Sequence, residues 1–254
     1  MYEAVMIAAT GLQNQQRRID TIANNVANVN SVAYKSARLD FKDALYTAGI
    51  VPGPPRTPDG NQQKGHGVMV AGITKDYRMG SAQRTDRQLD FAIEGEGFFE
   101  LGDINGNIVY TRNGSFYIDD EGYLVNAEGL FVHDADGMRI LAPFGTDTTS
   151  VSQDGLLTFT ADGVETEFNL GVYTFRNVTG LLSVGSGNYA ESPASGEKMP
   201  AYGAAVRQGM LEASNVSLAE EMTRLIRTQR AFSLASRALS TADEMEGIAN
   251  NMRR

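Results

Sequence analysis

Glu94 and Glu96, two residues apart in Ile93-Glu94-Gly95-Glu96-Gly97, have the best claim in this chain to general acid and base chemistry. On a strand they share one face at a separation that the strand fixes, and no second acidic pair completes a site. Read as chemistry, they would belong to a carbohydrate-active β-protein such as a wall hydrolase. Read as structure, they are two solvated acids in a Gly-rich turn. Asp103-Ile104-Asn105-Gly106-Asn107 has the alternating oxygens of a calcium loop. Its Gly stands fourth where such a loop needs it sixth, and position twelve carries no Glu, so a hairpin turn accounts for it better. His66 and His133 lack a spaced partner, and the absence of Cys removes disulfides, thiolate metal sites and cysteine nucleophiles. There is no P-loop, dinucleotide fingerprint or serine elbow. The residues therefore predict no enzyme, cofactor or metal.

The elements that would carry any site come next. At 254 residues, 42% apolar and 21% charged, the chain can build one or two domains with a hydrophobic core. No run approaches the roughly 18 apolar residues of a membrane span, and Arg17, Arg18 and Asp20 are foreign to the apolar core of a signal peptide. The net charge of −9 is uneven, since residues 91–200 hold 4 basic against 17 acidic side chains while both ends are nearly neutral. So acidic a middle repels a phosphate backbone, which argues against nucleic acid as a partner.

Glycine and proline divide the chain. Residues 1–48 and 210–254 each hold one Gly and no Pro, whereas residues 91–200 hold 16 of the 27 Gly, so the ends favour helix and the middle short strands. Val5, Leu12, Ile19 and Val26 fall one heptad apart, with Ala8, Ala9, Ile22 and Ala23 between them and Gln15 and Gln16 as interruptions. At the other end Leu218, Leu225, Phe232 and Leu239 repeat the pattern, and Met222, Ala235, Ala242, Met245, Ala249 and Met252 extend it. Ser217 followed by Glu220 fits a capping box. Each stripe could simply cover a globular core. Two such stripes at opposite ends point instead to helices that supercoil, with each other or in an assembly.

The middle reads as an antiparallel meander. Asn105-Gly106, Asn113-Gly114, Glu121-Gly122, Glu128-Gly129 and Asp136-Gly137 recur every seven or eight residues between short β-prone runs. Val51 to Gly60 holds four of the seven prolines and excludes helix or central strand. The expectation is an α+β protein: residues 1–45 with 205–254 as a helical assembly core, 46–68 as an extended loop, and 69–204 as a β-rich outer domain.

The terminal segments also carry a resemblance. Ala23-Asn24-Asn25-Val26-Ala27-Asn28-Val29-Asn30 with Tyr34-Lys35 resembles the N-terminal signature of the bacterial flagellar rod and hook proteins. Gly209, Leu211-Glu212, Ser214-Asn215-Val216, Glu221-Met222, Gln229-Arg230-Ala231-Phe232 and Ala242-Asp243-Glu244-Met245 resemble the C-terminal signature. Leu89 to Phe99 and Tyr110-Thr111-Arg112-Asn113-Gly114-Ser115-Phe116 resemble the core blocks, so the likeness runs in family order along the whole chain. Length and the insertion ending in Gly65-His66-Gly67-Val68 are most similar to the distal branch of the rod members, with the proximal branch and the longer hook proteins as alternatives. Ala33 stands where that family commonly has Gly, Arg87-Gln88 where it has Asn-Pro, and Ser233-Leu234 where Glu-Ala is typical.

The resemblance implies a helical tube in the basal body, with terminal helices inside and the β-region outside. It implies other rod and hook proteins, and surrounding ring proteins, as partners, and export through the flagellar type III apparatus without a cleavable signal. Assembly residues would be Val5, Leu12, Ile19, Val26, Asn24, Asn25 and Asn28 on the first helix. On the last they would be Leu218, Met222, Leu225, Gln229, Phe232, Leu239 and Met245. Ordering a terminal helix costs more chain entropy than its own stripe returns, which predicts ends that are disordered in the monomer and fold on joining the polymer.

Overall fold

The computed structural model describes residues 2–43, 46–48, 63–65 and 68–252. The Pro-rich stretch Val51 to Gly60 and His66 lie outside the described residues. The chain is α+β and divides into two compact units, one of residues 1–27, 37–75 and 217–254, the other of residues 28–36 and 76–216.

The first unit pairs helix α1 (Tyr2–Ala27) with helix α2 (Leu218–Asn251). Beside them lies an antiparallel hairpin of Ala37–Asp43 with Val68–Lys75, whose register slips at Asp40/Phe41. A second short pair joins Tyr46–Ala48 to Gln63–Gly65. The Pro-free, Gly-poor composition explains the helix lengths, because nothing inside either segment removes a backbone donor or adds backbone entropy beyond one Gly each. The Ser217 carbonyl accepts the first helical bond of α2 from Glu221 N–H, while Glu220 reaches forward to Arg224 at 3.5 Å. On α2 the covered or partly covered positions include Glu221, Leu225, Thr228, Phe232, Ala235 and Leu239, spaced alternately by four and three. On α1 Ile22 is buried, and Leu12, Ile19 and Val26 are partly covered.

The second unit is antiparallel throughout. Its largest sheet has nine strands, and Phe98–Gly102 lies at the centre, paired with Ile108–Thr111, Phe131–Val132 and Val172–Phe175. All five residues of that central strand are buried, because side chains alternate between faces and both faces are covered. Phe99 and Leu101 enter one core with Phe91, Phe116, Leu124 and Phe159. Phe98 enters another with Tyr110, Phe175 and Tyr189. The expected meander is only local: Phe116–Ile118, Leu124–Asn126 and Phe131–Val132 follow in order, and the chain then crosses back to Phe98–Gly102.

The turns show why this zone is acidic. Asp119, Asn126 and Asp134 each accept, on one side-chain oxygen, the N–H groups two and four residues onward at 2.7–3.0 Å. Three residues after each stands Gly122, Gly129 or Gly137, at φ of 91°, 77° and 78°. Asp103-Ile104-Asn105-Gly106 makes a related turn, and its carboxylate is held below the ordinary range by Asn105 and the Ile104 amide. That segment is a hairpin turn. Asn113-Gly114, expected as another, is not one, since the strands on either side pair elsewhere. Glycine is needed there because a Cβ would stand 1.8 Å from the Phe91 carbonyl oxygen, whose own N–H donates to Gly114 O at 2.9 Å.

Candidate functional site

Within the second unit, three charged side chains from distant stretches of chain meet in the interior. Glu212, in the strand Met210–Glu212, accepts Lys35 Nζ on Oε1 at 2.6 Å and Arg112 Nε on Oε2 at 2.7 Å. Lys35 and Glu212 are each 1% exposed and Arg112 is 4% exposed. Buried charge is tolerated only when every donor and acceptor finds a partner, and here the backbone supplies the rest. Lys35 also donates to Arg78 O at 2.8 Å, and Gly80 N–H donates to Glu212 Oε1 at 2.8 Å. The Arg112 guanidinium donates to the carbonyls of Ile93, Gly95 and Gly97 at 2.8–3.1 Å.

This explains Ile93-Glu94-Gly95-Glu96-Gly97 without catalysis by its acids. Its main chain curls around a guanidinium, with Gly95 at φ +109° where a side chain would strain the turn. The carboxylates lie outside that cage, and Glu94 is tied to Arg207 at 2.8 Å in an exposed ion pair. Glu96, the other acid of the carbohydrate-active reading, is also exposed. Gly80 is required by close approach, since a Cβ would stand 2.0 Å from Ala213 O.

The same cluster fastens two chain segments. Ala33 N–H donates to Glu212 O at 2.8 Å, and Asn215 N–H donates to Tyr34 O at 3.3 Å. Asn215 Oδ1 accepts Ser36 N–H at 2.8 Å, while its Nδ2 donates to Asp76 O and Arg78 O at 2.7 and 3.0 Å. Residues 28–36 follow α1 in sequence, and residues 213–216 precede α2. The ionic clasp thus joins residues 28–36 and 213–216 to each other and to the strands of the second unit. Burial pushes the Lys35 ammonium below the ordinary lysine value, outweighing the attraction of Glu212. Burial pushes the Glu212 carboxyl up, but Arg112 and Lys35 outweigh it and hold it below the usual 4.5.

Ala33 sits in this clasp at φ +55° with 2% exposure. An L-residue in the left-handed region costs about 1–2 kcal/mol, which glycine relieves at some loss through the unfolded chain. Ala33→Gly is expected to stabilise the protein by up to about 1 kcal/mol, raising Tm by a few degrees in thermal unfolding.

The structure distributes the expected assembly residues unevenly. Leu12, Ile19, Val26, Leu225, Phe232 and Leu239 are partly covered, whereas Leu218, Met222, Gln229 and Met245 are exposed. The Val5 side chain lies outside what is described. Asn25 is buried and exchanges two 2.9 Å hydrogen bonds with the backbone of Ala37, so it pins the hairpin to α1. Asn24 is exposed, and Asn28 accepts the Ser31 hydroxyl at 3.1 Å. In the sequence Lys35, Arg112 and Glu212 stand out only as parts of three separate motifs, and nothing local marks them as partners.

A β-rich unit with a buried ionic clasp, and a second unit built on two long terminal helices, define an α+β structural class. Family models place it further. "Flagella basal body rod protein" matches residues 6–35, "Flagellar hook protein FlgE/F/G D1 domain" matches 92–159, and "Flagellar basal body rod FlgEFG protein C-terminal" matches 207–252. The flagellar basal-body rod protein FlgG of Borreliella burgdorferi is 37% identical over 269 aligned residues covering 100% of both chains. FlgG of Bacillus subtilis is 34% identical over the same span, again with 100% of both chains covered. The Bacillus subtilis hook-basal body complex protein FlhP is 30% identical over 271 residues and 100% of both chains. The chain belongs to the flagellar basal-body rod protein family. Each matched segment supplies one member of the clasp, Lys35, Arg112 and Glu212 in turn.

Proposed function

We propose that the chain is a structural subunit at the distal position of the flagellar rod, polymerising into a helical tube that serves as drive shaft and export channel. In this reading α1 and α2 pair as a coiled coil, and residues 1–45 with 205–254 form the inner assembly core. Residues 69–204 face outward, and 46–68 form an extended connection. Other rod and hook proteins are its neighbours, surrounding ring proteins lie outside it, and the type III apparatus exports it to the basal body.

The observation that carries the reading is the apolar surface of α2 that the described residues leave exposed. Met222, Ile226, Leu234, Met245 and Ile248 are between 42% and 66% exposed, far more than one helix face needs to show. Repeated head-to-tail contacts between such faces give an open filament rather than a closed ring. Because so much of α2 lacks cover, the terminal helices are proposed to be largely disordered in the monomer and to fold on joining the polymer, which prevents premature assembly. Far-ultraviolet circular dichroism with sedimentation of the full chain tests this. Helix content is expected to rise as polymer forms. A compact monomer with unchanged helix content at every concentration would overturn it.

A further inference from the structure

The first unit contains a pocket of about 280 Å³ lined by Arg18 of α1, Arg38 of the strand Ala37–Asp43, and Glu221 and Arg224 of α2, over an apolar floor that includes Ile22 and Phe41. Three guanidiniums face a single carboxylate. Arg224 is already committed, at 2.7 Å to Glu221 and 3.5 Å to Glu220. Glu221 is buried, and its Oε2 has no partner among the described residues. Arg18 lies over the Phe41 ring at 5.8 Å. Asp20 accepts Gln16 at 3.0 Å and Asp40 accepts Thr74 at 2.8 Å. Among the described residues neither Arg18 nor Arg38 has a carboxylate partner. The residues that line the pocket therefore carry two more positive than negative charges above an apolar floor.

Guanidinium forks match carboxylates in planar, bidentate geometry, more so where water is thinned out. A volume just under the usual range of small-ligand sites, about 300–1,000 Å³, suits one inserted side chain. The chain itself carries the complementary charge: residues 91–200 hold 17 acidic against 4 basic side chains. Glu165 and Glu167 are exposed on the edge strand Val164–Asn169. We infer that Arg18 and Arg38 receive a carboxylate from the acidic β-unit of a second copy of this chain. This rests on the assembly reading, to which it adds a polar lock that sets register where the apolar stripe alone does not.

The test uses the full chain and two measurements. In polymerisation assays, Arg18→Gln combined with Arg38→Gln is expected to raise the critical concentration at least tenfold. The wild-type critical concentration is also expected to rise with added salt, as screening predicts. Glutarate added to the wild-type assay as a competitor for the pocket is expected to raise the critical concentration saturably, and the double variant loses that response. A wild type that polymerises, with a double variant that does so at the same concentration, overturns the proposal and leaves the assembly reading intact. A wild type whose critical concentration ignores glutarate, with a double variant that is impaired, overturns the carboxylate as occupant of the pocket. A wild type that never polymerises overturns the assembly reading and the second copy together.

Discussion

Glu212→Ala is expected to cost about 3–5 kcal/mol in denaturant unfolding, because it leaves two cations buried without a counter-charge. Against a total stability of about 5–15 kcal/mol for a typical domain, that is a large share. Lys35 and Arg112 would keep their carbonyl partners, but the carboxylate that neutralises both would be gone. Gly80 N–H would also lose its acceptor. Glu212→Gln keeps an acceptor oxygen and removes only the charge, so a smaller loss is expected. Replacing all three with apolar residues of similar volume is expected to harm stability less than the single alanine change, since no isolated charge remains buried. That ordering, with alanine worst, separates an electrostatic clasp from mere packing; equal losses in all three variants would contradict it.

Acid should act on the same cluster. The Glu212 carboxyl is held below 4.5 in the folded chain, so on acidification the unfolded chain binds protons first. The stability it contributes is present above pH 4.5 and declines as pH falls through the depressed folded value. Glu100 behaves likewise: burial raises its carboxyl, but His133 and Lys198 outweigh that and lower it. Stability of the wild type measured from pH 6 to pH 3 should therefore fall more steeply than that of Glu212→Ala, which lacks the Glu212 part.

The terminal helices were legible because their signal is compositional and periodic: a single Gly in each end zone, and heptads through Leu12, Ile19, Leu225 and Phe232. Strand existence was legible from the turns. Their chemistry was misassigned, because the informative residue is the Asp or Asn three before the glycine, as at Asp119-x-x-Gly122 and Asn126-x-x-Gly129, not the residue just before it. Strand order was not legible, since pairing Phe98–Gly102 with Val172–Phe175 is a long-range choice that local pattern does not encode. The clasp escaped for a related reason. A buried Lys looks like any other Lys until the chain brings residues 35, 112 and 212 together. Glu94 and Glu96 drew notice as acids when the carbonyls between and beside them make the contact that matters.

The second large effect is expected on α2, where neighbouring residues should separate two kinds of contact. Leu225 is partly covered, whereas Ile226 is 51% exposed. Leu225→Asp, and likewise Leu12→Asp on the facing helix, puts a charge where apolar surface is removed from water, at a cost of several kcal/mol if no partner neutralises it. At about 1.4 kcal/mol per tenfold change, a loss near 3 kcal/mol raises the critical concentration for polymerisation about a hundredfold, which in practice abolishes rods. Ile226→Asp should leave the pairing of α1 with α2 untouched and still block assembly, because only a neighbouring subunit would cover that position. The second unit holds its own two cores and clasp, so its near-ultraviolet tyrosine signal and unfolding midpoint should be unchanged in all three variants. Normal polymer from Ile226→Asp would mean that the exposed face of α2 meets no neighbour. Normal polymer from Leu225→Asp would mean that the two helices need not pair at all, and the apolar stripes would then lose their place in the mechanism.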